Sequence, residues 1–158
     1  MTKGSTLQPH YGRQNVDGTG GQRGDYLLQT NAHVKFTVFV EIKKPDSPLL
    51  ETREYRNGVY QVGKELTGGI AQIQSNSLTW ETEGSRTDTN RDALDALTCR
   101  PKGILIIGNT SQLDDRNKKL SFELFRRNIS NPEIVTYDEL LAKAQFIISH
   151  QVEEREVE

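Results

Sequence analysis

From Val34 to Lys43 apolar residues recur at every second position. Val34, Phe36, Val38, Val40 and Ile42 share one face of a predicted strand, and Lys35, Thr37, Phe39, Glu41 and Lys43 share the other. Pro45 cannot donate to a sheet ladder, so the strand stops just past Lys43. A shorter run, Asp25-Tyr26-Leu27-Leu28-Gln29, precedes it, with Asn31-Ala32-His33 as a turn between the two. A hairpin runs antiparallel, which sets Asp25 and Glu41 at the same end of the sheet.

Farther along, Val62, Leu66, Ile70, Ile73 and Trp80 fall at helical spacing. Gly68 and Gly69 interrupt that helix at about 1 kcal/mol each relative to alanine, a cost that a close backbone approach to the sheet would justify. Gly103-Ile104-Leu105-Ile106-Ile107-Gly108 is continuously apolar, the pattern of a strand buried on both faces. Ser111 to Arg127 reads as an amphipathic helix with Leu113, Leu120, Leu124 and Phe125 toward the core. Ile134-Val135 is a short strand. Thr136 and Glu139 have capping-box spacing and open a last helix carrying Leu140, Leu141, Ala144, Phe146, Ile147 and Ile148. Polar stretches fill the rest: Glu51 to Gly58 as a loop or irregular strand, Glu81 to Asn90 as a loop, and Arg91 to Leu97 as a short helix. Residues 1–24 are Gly-rich without hydrophobic period and read as a flexible segment; residues 25–150 form the domain, and 151–158 an acidic tail. The predicted fold class is α/β (α+β), a mixed sheet flanked by helices.

Composition narrows the chemistry. The chain has 158 residues, enough for one domain with a real core. Its formal net charge of −2 gives no global basic footprint, so any DNA contact must use a local patch. Lys35, Lys43, Lys44, Arg53, Arg56 and Lys64 supply one. A single cysteine, Cys99, excludes an internal disulfide and a cysteine-based zinc site, and His10, His33 and His150 lack ligand spacing. No apolar run has membrane-spanning length and no signal peptide is evident, which points to the cytoplasm. Gly18, Gly20, Gly21 and Gly24 do not make a phosphate loop, because a strand follows where a helix N-terminus is required.

The candidate chemistry lies at the end of the first hairpin. An acid-x-lysine triplet such as Glu41-Ile42-Lys43 is expected about once by chance at this composition. The agreement with Asp25 across the hairpin gives it weight. Two carboxylates and an amine at one sheet end can hold a hard divalent cation and help activate a water.

Five separated blocks then match one family. Asp25-Tyr26-Leu27-Leu28, Val40-Glu41-Ile42-Lys43-Lys44-Pro45, Glu65-Leu66 with Ala71-Gln72-Ile73, Pro101 to Gly108, and Ile134 to Leu141 resemble the C-terminal nuclease domain of the Shedu anti-phage defence proteins, of the PD-(D/E)xK superfamily. The resemblance implies a restriction-endonuclease-like fold, Mg²⁺-dependent cleavage of DNA with Mn²⁺ as a substitute, a role in phage defence, and a homo-oligomer, dimer or tetramer. It makes Asp25 and Glu41 metal ligands, with the Ile42 carbonyl as a third donor, Lys43 the catalytic lysine, and Gln72 a further site residue. The alternative it leaves open is a catalytically inactive nucleic-acid-binding or scaffold domain on the same fold. Two departures stand out. Gly24 replaces the proline expected before the first acid, and nothing between Met1 and Gly24 reads as the superfamily's first helix. A sheet lacking that helix is expected to pair with another subunit, through the face of Val34, Phe36 and Val38 or through the last helix at Phe146 and Ile147.

Overall fold

The computed structural model describes residues 6–7, 10–14, 20–23, 25–29, 36–82 and 97–156. In chain order the elements are β1 (Thr6–Leu7), β2 (His10–Gln14), β3 (Gly20–Arg23), β4 (Tyr26–Gln29), β5 (Phe36–Ile42), β6 (Leu50–Arg56), β7 (Val59–Val62), α1 (Lys64–Thr82), β8 (Leu97–Ile106), a 3-10 turn (Thr110–Gln112), α2 (Arg116–Arg127), β9 (Glu133–Val135) and α3 (Tyr137–Glu156). The main sheet is mixed, in the order β1-β4-β5-β8-β9. β4 runs antiparallel to β5, with Tyr26 opposite Val40 and Leu27 opposite Phe39. β8 runs parallel to β5, with Glu41 opposite Leu105, and β9 runs parallel to β8. Parallel neighbours need crossovers, which the segments containing α1 and α2 provide. The architecture is the α/β mixed sheet with helices that the patterning predicted.

Strand β5 is buried on both faces. Val38 and Val40 pack with Ile106, flanked by Tyr26, Leu28, Ile104 and Tyr137. Thr37, Phe39 and Glu41 point the other way and are buried too. Phe39 meets Trp80 of α1 edge-on, with ring centroids 6.0 Å apart. Leu66, Ile70, Ile73 and Trp80, at helical spacing, are the buried apolar face of α1. Truncating an aromatic in such a contact typically costs about 3–5 kcal/mol. The two glycines of α1 differ. A Cβ on Gly69 would lie 2.8 Å from Leu105 Cδ1, whereas one on Gly68 would meet nothing within 4 Å. Gly69 is thus where the helix needs its missing side chain to approach β8.

Several predicted elements change in the structure. Glu51 to Gly58 is regular: β6 and β7 form a hairpin whose turn residues, Asn57 and Gly58, both have positive φ (30° and 78°). Asn-Gly between two strands favours this two-residue turn, and an exposed ribbon has no apolar alternation to reveal it. Val62 pairs with Leu50 in that hairpin, so the helix begins at Lys64. Ser111 to Arg127 is not one helix. The Asp115 carboxylate caps α2 by accepting from the Asn117 and Lys118 amides at 2.7 and 2.9 Å. That start turns Phe122 fully into the core and leaves Leu120 and Leu124 exposed, against expectation; Leu113 is buried but precedes the helix. Residues within 1–24, expected to be flexible, include strands: β2 and β3 pair, and β1 adds to the main sheet. Leu97 opens β8 instead of ending a helix; the rest of 91–97, the turn at 31–33, and Val34 and Lys35 lie outside the described residues. Glu139 makes the predicted reach to the Thr136 amide, at 3.2 Å, and α3 continues into the acidic tail as far as Glu156.

Candidate functional site

Continuing the register Tyr26–Val40 by one step brings Asp25 opposite Glu41, on the same face of the sheet. Asp25 sits just before β4, and its Oδ2 accepts a hydrogen bond from the Ile42 amide at 2.7 Å. The N–H and C=O of one strand residue leave by the same edge, so the Ile42 carbonyl is directed to the Asp25 side. Lys43 follows at the end of β5. Its amide donates to the Ile106 carbonyl at 2.8 Å, and its own carbonyl accepts from the Tyr137 hydroxyl at 2.7 Å. With its backbone held, its side chain runs beside Gly69, where an added Cβ would lie 3.5 Å from Lys43 Cε. The ammonium donates to Glu41 Oε1 at 2.9 Å and to Gln72 Oε1 of α1 at 3.1 Å.

Asp25, Glu41, Ile42, Lys43 and Gln72 therefore meet at one end of β5, under the helix that covers it. Glu41 is not the solvated strand-end residue that a bare triplet suggests: it is 4% exposed. Only one of its oxygens is bonded; Oε2 is buried with no hydrogen-bond partner among the described residues. Burial pushes the Glu41 carboxyl above its usual range, the Lys43 ammonium pulls it back, and the negative charge of Asp25 raises it again, with Gln72 opposing. A carboxylate kept in this state has an unmet need for positive charge.

A divalent cation fits this donor set. Among the described residues no cluster brings together three or more His, Cys, Asp or Glu side chains. Mg²⁺ does not require one, since it commonly takes one or two carboxylates and keeps several waters. The orphaned Glu41 Oε2, the Asp25 carboxylate and the Ile42 carbonyl are oxygen donors of the right kind.

Tyr137 is a site neighbour that sequence patterning does not flag. Its place beside the capping box suggests only the start of a helix. The signal lies in the topology: the end of parallel β9 reaches the same sheet edge as the end of β5, so the first residue of α3 reaches Lys43.

A small α/β domain with an acid pair and a lysine at one end of a mixed sheet is the class that these features define. The sequence matches the family described as Shedu protein SduA, C-terminal, over residues 3–141. It is 32% identical over 147 residues to a Shedu protein SduA from Bacillus cereus (strain B4264), an alignment covering 89% of this chain and 38% of that relative. The chain belongs to the Shedu SduA C-terminal family. It spans well under half the length of that relative, and the match takes in most of the Gly-rich N-terminal stretch. No helix among the described residues is long and apolar enough to cross a membrane.

Proposed function

We propose that this domain is a Mg²⁺-dependent DNA endonuclease serving in anti-phage defence. The observation that carries the reading is the buried, half-satisfied Glu41 carboxylate facing Asp25, with the Lys43 ammonium alongside. Asp25, Glu41 and the Ile42 carbonyl would hold the ion, with Mn²⁺ as a substitute. When bound, it would supply Lewis acidity toward the scissile phosphate and lower the pKa of a coordinated water. Lys43 orients the attacking water and stabilises negative charge as it develops. Gln72, through its carbonyl oxygen, fixes the ammonium and limits its rotamers. Gly69 lets α1 come close enough for that contact.

DNA as substrate is supported by unpaired cations that follow the site in sequence. Lys102, Lys118, Arg126, Arg127 and Lys143 are each matched to a carboxylate, while Arg116 and Lys119 of α2 make no ion pair among the described residues. Lys44, Arg53, Arg56 and Lys64, just after the acid-x-lysine triplet, make no ion pair among the described residues. Arg53 and Arg56 ride on the exposed β6–β7 ribbon, where Arg56 stacks over Tyr55 at 5.7 Å from the ring centroid. Unpaired cations of this kind suit phosphate contacts. The exposed apolar residues of α3, Leu141, Phe146, Ile147 and Ile148, suit a homo-oligomer, dimer or tetramer, in which two sites could cut both strands.

One observation favours a second reading, an inactive nucleic-acid-binding or scaffold domain: Lys43 already occupies one oxygen of Glu41. Incubating supercoiled plasmid with the protein separates the two. Nicked or linear product with Mg²⁺ or Mn²⁺, absent with EDTA, is the expected result. Intact plasmid under every metal condition, with DNA still retained in a mobility-shift gel, would establish the inactive reading.

A further inference from the structure

We propose that Tyr137 is a positioning residue for Lys43, tying the base of α3 to the active centre; the inference rests on the nuclease reading above. The Tyr137 hydroxyl donates to the Lys43 carbonyl at 2.7 Å, across 94 residues of sequence. It is one of a set of bonds that fix this corner. The Tyr137 amide donates to the Gly108 carbonyl at 3.1 Å, the Gly108 amide to the Lys44 carbonyl at 3.2 Å, and the Lys43 amide to the Ile106 carbonyl at 2.8 Å. The Tyr137 ring packs beside Val38, Val40 and Ile106 on the sheet face opposite Glu41. The residue thus reaches Lys43 from behind, and nothing in its geometry brings it to the reacting phosphate.

The consequence is specific to the lysine. β5 ends at Ile42, so beyond Ile42 the chain has no strand pairing on the β4 side to fix its twist. Rotation of the Lys43 peptide plane would swing the side chain away from Glu41 and Gln72. The phenol blocks that rotation by holding the carbonyl. The base of α3 is itself clamped: Asp138 accepts from the Thr110 amide at 3.0 Å and from its hydroxyl, and Glu139 makes a two-pronged pair with Arg126. From Leu140 to Ser149 every residue of α3 is exposed. Among the described side chains of α3, it is the anchored first turn that reaches the site.

Tyr137→Phe removes the hydroxyl and keeps the ring. On supercoiled plasmid with Mg²⁺ we expect kcat to fall roughly 10- to 100-fold with KM for DNA unchanged, as for a misplaced catalytic group. Amide hydrogen exchange in a peptide spanning Glu41 to Lys44 should become faster, a readout that needs no activity. The melting temperature should stay within about 4 °C of the parent, the effect of one hydrogen bond in a domain of this size. Tyr26→Phe, altering a second tyrosine on the same sheet face, is the control and should change neither readout. Parental kcat with parental exchange in Tyr137→Phe would overturn the proposal, as would an equal loss in Tyr26→Phe. A parent protein that does not cut at all, yet shows faster exchange in Tyr137→Phe, would remove the nuclease reading and leave the positioning contact standing.

Discussion

Two ion pairs in this domain use the same chemistry and reach opposite electrostatic outcomes. Arg126 and Glu139 join α2 to the first turn of α3 through two parallel hydrogen bonds, each 2.8 Å long. Glu139 also accepts from the Thr136 amide, and Arg126 takes a second carboxylate from Glu123. Every prong has a partner, and Arg126 holds the Glu139 carboxyl below its usual range. Lys43 and Glu41 make a single contact, leave Glu41 Oε2 buried and unbonded, and place Asp25 beside the same carboxylate. There burial outweighs the lysine and the Glu41 carboxyl is pushed up. The first pair is complete as folded. The second leaves one carboxylate oxygen without a partner among the described residues. Function is to be sought where a fold leaves such a debt unsettled.

The largest expected effects fall on the incomplete pair. Lys43→Ala should reduce plasmid cleavage at least about 100-fold, the scale of losing a positioned general acid-base group. Glu41→Gln should reduce it comparably. Glutamine is the better test at this position, since Glu41 is packed under α1 and alanine would leave a hole. In the complete pair, Arg126→Ala loosens only the base of α3, so it should lower cleavage no more than Tyr137→Phe does, and cost about 2 kcal/mol, the range for hydrogen bonds to a charged group. For a chain of this size that is a fall of roughly 4–8 °C in melting temperature. A loss of cleavage in Arg126→Ala as large as that in Lys43→Ala, at a temperature where it is folded, would break the comparison.

Acid titration sharpens it, because the two glutamates have opposite signs. The Glu41 carboxyl is raised on folding, so its contribution is most favourable below its ordinary value of 4.5 and is lost as pH rises through the raised folded value. Glu41→Gln should therefore melt higher than the parent at neutral pH and lose that advantage in acid. The Glu139 carboxyl is lowered, so its contribution is present above the ordinary value of 4.5 and lost as pH falls through the lowered folded value. Glu139→Gln should melt lower than the parent at neutral pH, with the gap closing in acid. Melting curves across the acid range check both; curves shifting in the same direction would contradict the assignment.

The meeting of Asp25, Glu41 and Lys43 at the sheet end was legible in the sequence because it is local. Alternation from Phe36 to Ile42 fixed which residues share the Glu41 face, and antiparallel pairing fixed that Asp25 lies at the same end. The apolar run around Leu105 was legible because strands buried on both sides need no alternation. What escaped depended on contacts between distant segments. The phase of α2 turns on a cap at Asp115, so Leu120 and Leu124 lost their predicted core places to Phe122. The β6–β7 hairpin carries almost no buried side chains, leaving Asn57-Gly58 as its one local mark. Tyr137 reaches Lys43 only through the parallel order of β5, β8 and β9, which periodicity does not encode.

The smallest expected effect concerns the helix that brings Gln72 to the incomplete pair. Gly68→Ala meets no neighbouring atom and should stabilise by about 1 kcal/mol. Gly69→Ala would press on Leu105, which is fully buried, and should destabilise by about 1–3 kcal/mol. Equal responses of the two in chemical denaturation would mean that α1 does not approach β8 this closely.

A divalent cation held at Glu41, as proposed, would stabilise the folded domain. Melting temperature at neutral pH, with and without millimolar Mg²⁺ at constant ionic strength, tests it without any appeal to DNA. Ligand that binds only the folded state raises its stability by mass action. The expected result is a Mg²⁺-dependent rise in the parent and in Arg126→Ala, and no rise in Glu41→Gln. An equal Mg²⁺ response in Glu41→Gln, or none in the parent, would contradict it.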